Sequence, residues 1–115
     1  MENLRSVEGQ LAAYNNHDLN GYVVHFTDDV TGHDLDRGVQ LFDGKPAMTE
    51  IYRRLFDEGV IFCEIVNRMV LGSVVIDHEQ LSKSGTPSGQ AIVIYDLAED
   101  GLICRMRITR GQPQA

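Results

Sequence analysis

From Leu4 to Tyr14 the apolar side chains fall at Leu4, Val7, Leu11 and Tyr14, while Arg5, Glu8 and Asn15 take the other side. That three-or-four spacing is one stripe of an amphipathic helix. The run Asn15-Asn16-His17-Asp18 is turn chemistry, and Asp18 suits the N-cap of a short second helix that directs Leu19, Tyr22, Val23 and Phe26 inward, with Asp28 and Asp29 closing it. A third helix is signalled at Asp43-Gly44-Lys45-Pro46, because proline fits the first helical turn, where its missing N–H has no partner to lose. Its apolar face is Met48, Ile51, Tyr52, Leu55 and Phe56, Arg53 and Arg54 lie toward solvent, and Glu58-Gly59 is its exit.

Beyond residue 60 the period changes from helical to alternating. Ile61 to Arg68, Val70 to Leu81, Gln90 to Leu97 and Leu102 to Thr109 are rich in β-branched residues and are separated by glycine-bearing turns, with a short edge strand near Val39 to Phe42. The breaks are short enough for neighbours to pair directly, so a meandering antiparallel sheet is the simplest topology. Helices followed by such a sheet make an α+β architecture with the helices on one sheet face. Alternation puts Val74, Ile76, His78 and Gln80 on one face and Val75, Asp77, Glu79 and Leu81 on the other. The first set is expected to face the helices. In the last strand Cys104, Met106 and Ile108 oppose Ile103, Arg105 and Arg107, and before it Ala91, Val93 and Tyr95 oppose Ile92 and Ile94. A mixed face of isoleucines, acids and arginines suits a partner subunit, with an apolar centre and a charged surround.

The 115 residues allow one core. A single domain over 1–110 and a flexible tail over 111–115 are expected. With 17 acidic and 10 basic side chains the net charge is −7, and no Lys/Arg block exists to neutralise phosphates, which argues against nucleic acid as a partner. The start lacks the basic-then-apolar pattern of a secretory signal and no stretch is long enough to span a membrane, so a cytoplasmic location without membrane partners is expected. Cys63 and Cys104 are far apart with no CxxC partner, and the histidines have no ligand-like spacing, so neither a disulfide framework nor a metal site is expected. The glycines form no phosphate-binding pattern and no GxSxG is present. No cofactor is expected. Acid–base chemistry is the enzymatic class for which candidate residues exist.

The order of Tyr22-Val-Val-His-Phe-Thr-Asp-Asp-Val30, Gly44-Lys-Pro-Ala-Met48, Val75-Ile-Asp-His-Glu79 and Asp100-Gly-Leu-Ile-Cys-Arg-Met106 resembles the nuclear transport factor 2-like superfamily, in its SnoaL-like and ketosteroid-isomerase-like branch. The resemblance implies a cone-shaped, cystatin-like fold: three N-terminal helices packed on a curved antiparallel sheet, a pocket inside the cone, and a homodimer through the outer sheet face. It implies a base at Asp34, the aspartate a few positions after Asp28-Asp29, and a tyrosine of the pocket network at Tyr52. With His78 on the expected concave face, Asp34, Tyr52 and His78 are the catalytic candidates. The ligand contacts are expected at Gln10, Tyr14, Phe26, Ile51, Ile76, Val93, Tyr95 and Met106. The isomerase's oxyanion donors do not carry over, since its helix-1 tyrosine falls on Gln10 and its second acid near Val93, which disfavours true steroid isomerisation.

The ligand expected from this pattern is a small, largely apolar molecule, handled by an isomerase, cyclase, dehydratase or hydrolase. Members of the superfamily include domains without catalysis, so a carrier and a protein-interaction or dimerisation module stay open beside the enzyme.

Overall fold

A computed structural model describes residues 4–113. The elements are α1 (Arg5–Asn15), α2 (Leu19–Val23), β1 (Phe26–Asp34), β2 (Val39–Asp43), α3 (Lys45–Asp57), β3 (Ile61–Leu71), β4 (Val74–Lys83), β5 (Thr86–Leu97) and β6 (Ile103–Gly111). One six-stranded sheet runs in the order β2-β1-β6-β5-β4-β3. From β3 to β6 it is the expected antiparallel meander. β1 joins it parallel to β6 and carries β2 antiparallel on its outer side. The fold is α+β, three helices against a curved sheet.

The helices form where the chain's spacing places them, with one shift of face. α1 buries Ser6, Val7, Gln10 and Ala13, so the inward stripe includes a glutamine. Asp18 caps α2, its Oδ1 accepting from the Gly21 N–H at 3.0 Å. Gly44 takes φ +95° immediately before α3 and donates its N–H to the Val30 carbonyl, tying the helix start to β1. Pro46 then occupies the first turn. The core beneath the helices is built on Val7, Tyr22, Phe26, Val30, Met48, Val75 and Ile103, all essentially inaccessible.

Four expectations need correction. The segment from Phe26 is a strand rather than the end of a helix: Phe26 opens β1, its stretch held by pairing on both sides, with β6 and β2. β4 is turned over relative to the expectation, so that Val75, Asp77 and Glu79 are buried, while Ile76 and His78 lie on the outer face. In β6 strict alternation breaks near Cys104, where Leu97 pairs with Ile103 but Asp96 with Arg105. The extra residue swings Ile103 inward beside Met106 and Ile108. Finally, Gly111 belongs to β6 and pairs with Gln90, and Gln90 donates to the Gln112 carbonyl, so the last strand reaches into the expected tail; 114–115 lie outside the described residues.

At the β3 edge the end of α1 makes a clamp. Asn15 Nδ2 donates to the Cys63 carbonyl (3.0 Å), the Cys63 N–H donates to Asn15 Oδ1 (2.8 Å), and His17 Nε2 lies 2.9 Å from the Ile61 carbonyl.

Candidate functional site

Between α1, α3 and the inner face of β3–β6 lies a cavity of about 90 Å³. Every tyrosine of the chain, Tyr14, Tyr22, Tyr52 and Tyr95, is on its wall. The rings of Tyr14, Tyr22 and Tyr52 cluster, with Tyr22 centred 6.3 Å from Tyr14, 4.5 Å from Tyr52 and 4.9 Å from Phe26. Aliphatic groups of Leu11, Leu55, Leu81, Val93 and Ile108 make up much of the remaining lining, with Arg110 at its edge. Amid them stands one carboxyl group, Glu79 of β4, only 7% exposed.

Glu79 is placed there by strand alternation. It shares the inner face of β4 with Val75 and Asp77, and it has no ion-pair partner among the described residues. Asp77, fully buried, does have one: Arg68 on the neighbouring β3 grips it with Nε at 2.6 Å and a second nitrogen at 2.9 Å, and also reaches Glu8 at 3.5 Å. The two acids are therefore treated differently. Burial drives the Glu79 proton affinity up, with the nearby Asp77 charge adding to it, and its pKa reaches about 7.

A short relay orients that carboxyl. Gln10 Nε2 donates to the Val7 carbonyl (3.0 Å) and to the Tyr95 hydroxyl (3.1 Å). With Gln10 donating to it, the Tyr95 hydroxyl turns its own proton to Glu79 Oε2, at 3.4 Å. The Cys63 thiol lies beside the same carboxyl, and burial raises its pKa far above the ordinary thiol range. Burial also raises the pKa values of Tyr14, Tyr22, Tyr52 and Tyr95, so near neutrality the tyrosines are hydroxyl donors, not phenolates. The arrangement is a buried acid whose protonation changes near neutrality, within a wall of neutral hydroxyls.

Of the residues expected at the site, Gln10, Tyr14, Tyr52, Val93, Tyr95 and Met106 line this cavity. Phe26 backs the wall through its stacking on Tyr22 but does not line it, and Ile51 is 41% exposed on α3. Ile76 and His78 are on the opposite sheet face, where His78 Nε2 lies 2.7 Å from Gln90 Oε1. Asp34 is at the end of β1, away from the cavity. Its Oδ1 accepts from the N–H groups of Asp36 and Arg37, and its Oδ2 from Arg37 Nε at 3.0 Å. The Arg37 side chain, helped by those backbone bonds, holds the Asp34 carboxyl below its usual range, the opposite of what a general base at neutral pH needs. The expected convergence of Asp34, Tyr52, His78 and Gln10 thus reduces to Tyr52 and Gln10. Glu79 was missed because the alternation that sets the two faces of β4 does not say which is inside, and Cys63 of β3 because nothing local in the sequence places its thiol beside that carboxyl. The signal available was Arg68, a cation able to partner an acid buried on the neighbouring strand.

This architecture is the nuclear transport factor 2-like, or cystatin-like, fold. The sequence pattern of the SnoaL-like domain matches residues 7–106, and the chain belongs to that family. Among solved structures, a cystatin fold protein from Novosphingobium aromaticivorans is similar with a TM-score of 0.82 and 23% identity, over 94% of this chain and 97% of that one. A SnoaL-like protein from Burkholderia thailandensis follows at 0.80 and 14%, over 95% and 93%. An LEH-like epoxide hydrolase from M. tuberculosis matches at 0.74 and 19%, over 94% and 81%. At these identities the likeness is one of fold. No curated protein matches the chain in sequence. Among the described residues no helix is long and apolar enough to cross a membrane.

Proposed function

We propose that the cone binds a small, largely apolar molecule and performs acid–base chemistry on it through Glu79. The observation that carries this reading is an unpaired carboxyl buried in a cavity of tyrosines and aliphatic groups. Burying such a group costs stability, and acids perturbed in this way cluster at functional sites. With a pKa of about 7, Glu79 takes or gives a proton readily near neutral pH. Tyr95 and Gln10 are its positioning residues, and the Tyr52 hydroxyl is the donor for a developing oxyanion. Two reactions fit: moving a proton on a carbon acid, and activating water for attack on a strained ring. The second is consistent with the epoxide hydrolase of the same fold. A cavity of about 90 Å³ restricts the substrate to a few heavy atoms, well below the few hundred Å³ usual for drug-sized ligands, and is too small for a steroid.

The test is a panel of small epoxides and β,γ-unsaturated carbonyl compounds assayed with the intact chain, the Glu79→Gln variant and the Asp34→Asn variant. Turnover that falls about a hundredfold or more in Glu79→Gln and survives in Asp34→Asn is the expected result. Turnover retained in Glu79→Gln refutes the role of Glu79.

The outer face supports a homodimer. Register aligns Met69, Ile76 and Ile94, with Leu71 opposite Val74, and Met69, Leu71 and Ile92 are among the exposed large apolar side chains. Arg105 and Arg107, both paired with Asp96, flank this strip. Sedimentation of the intact chain beside Ile94→Glu tests it, a monomer in the variant alone being the expected outcome. Two free cysteines, one of them half-buried, fit a reducing compartment such as the cytoplasm.

A further inference from the structure

We propose that the molecule taken by the cavity carries a carboxylate and that Arg110 is the residue that selects it. The inference rests on reading the cone as a ligand site and adds the charge class of its ligand. Its basis is strand register. Glu79 on β4 lies opposite Ala91 on β5, and Ala91 lies opposite Arg110 on β6, so the three make one row across the inner face. Neighbouring strands are about 4.8 Å apart, which separates the Glu79 and Arg110 backbones by about 10 Å. Within that row the residue between them is Ala91, whose side chain is a methyl group, and all three residues line the cavity.

Arg110 is also unusual among the eight arginines. Arg37, Arg53, Arg54, Arg68, Arg105 and Arg107 each hold a carboxylate. Among the described residues Arg5 and Arg110 do not, and of these Arg110 alone lines this cavity. Asp36, the nearest acid to it in the hydrogen-bonding pattern, accepts from the Arg110 backbone N–H and the Thr109 hydroxyl rather than from the guanidinium. Arg110 is exposed at the rim of the cavity, where its fork of donors is open to a ligand entering from solvent. A guanidinium matches a carboxylate in shape and charge, and in a chain of net charge −7 an anionic ligand needs such a local cation to offset the general repulsion. Val93, Leu81 and Ile108 supply walls for an apolar body. A small carboxylic acid would lie along the row, its anionic end at Arg110 and its reacting carbon toward Glu79.

Crotonate and crotonamide have the same shape and differ in charge, which makes them suitable probes. Each is titrated into the intact chain at about pH 6, on the protonated side of Glu79, with backbone amide shifts followed by nuclear magnetic resonance. The expected result is shifts at Glu79, Ala91 and Arg110 with crotonate bound about tenfold or more tightly than crotonamide. In Arg110→Gln that preference disappears while crotonamide binding is unchanged, and Arg110→Lys keeps part of it. Cavity shifts with equal affinity for both probes, or a preference that survives Arg110→Gln, overturn the carboxylate assignment and leave the ligand site standing. No cavity shift with either probe overturns both.

Discussion

Replacing Glu79 by glutamine keeps the side-chain volume and removes the charge, which isolates the energetic cost of the buried acid. Folding lifts this carboxyl from the ordinary 4.5 to about 7, so the native state holds the proton more tightly than the unfolded chain does. Its stabilising contribution is therefore complete below about pH 4.5 and is lost as the pH rises through about 7, where the native protein must carry a buried carboxylate. At about 1.4 kcal/mol per tenfold change in proton affinity, the loss is roughly 3 kcal/mol. Because Glu79 is only 7% exposed, solvent screening reduces this little. The stability of Glu79→Gln minus that of the unaltered chain should thus climb by roughly 3 kcal/mol between about pH 4 and pH 8.5. Urea unfolding followed by circular dichroism is the assay, since the chain has no tryptophan. With a urea dependence of about 1.5 kcal/mol per molar, the two midpoints should move apart by about 2 M over that range. A difference that stays flat with pH, or that falls as pH rises, refutes the assignment of Glu79 as a proton-holding group.

Arg68→Met leaves the fully buried Asp77 without its cation and should cost about 3–5 kcal/mol in denaturant unfolding, with much of the loss recovered when Asp77→Asn is added. Gly32→Ala places a methyl group against the ring of Phe42, which is itself buried; the expected penalty is about 1–3 kcal/mol in thermal or urea unfolding, partly relieved by Phe42→Leu. Asp34→Asn should leave the cavity's ligand binding unchanged in a calorimetric titration. Because the Arg37 side chain depresses the Asp34 pKa, Asp34 contributes stability above the ordinary carboxylate range and loses it as the pH falls through the native value, so the stability gap between Asp34→Asn and the unaltered chain should close in acid.

The helices and the meander were legible because their signals are local. Asp18 and Pro46 mark helix starts through chemistry confined to one turn, and the β-branched runs after residue 60 alternate over most of their length. β1 was not legible. Phe26-Thr-Asp-Asp-Val-Thr-Gly-His-Asp34 has three acids and a glycine where strands favour branched or aromatic residues, and it is a strand because β6 and β2 pair with it, a tertiary cause that no window of sequence contains. The inversion of β4 has a related origin. Hydropathy favours Val74 and Ile76 over Asp77 and Glu79 as the inward set, and the fold takes the costlier choice of burying both acids. Asp34 looked like a base because of where it falls in the family's order of motifs. Its position is matched but its surroundings are not, since Arg37, three residues later, occupies the carboxylate.

The clamp from Asn15 and His17 onto β3 bears on how the protein behaves when concentrated. β3 is an outer strand of the sheet, and an outer strand with free amide and carbonyl groups is a template on which another chain can add itself. At Ile61 and Cys63 those groups are already occupied by side chains from the end of α1, and farther along an irregular register between Ile65 and Asn67 interrupts the ladder. A docking strand would therefore find the first half of β3 blocked and only the stretch from Asn67 to Leu71 in regular register. The helix end thus shields the start of this outer strand from strand addition, a protection that depends on two side chains rather than on surface charge.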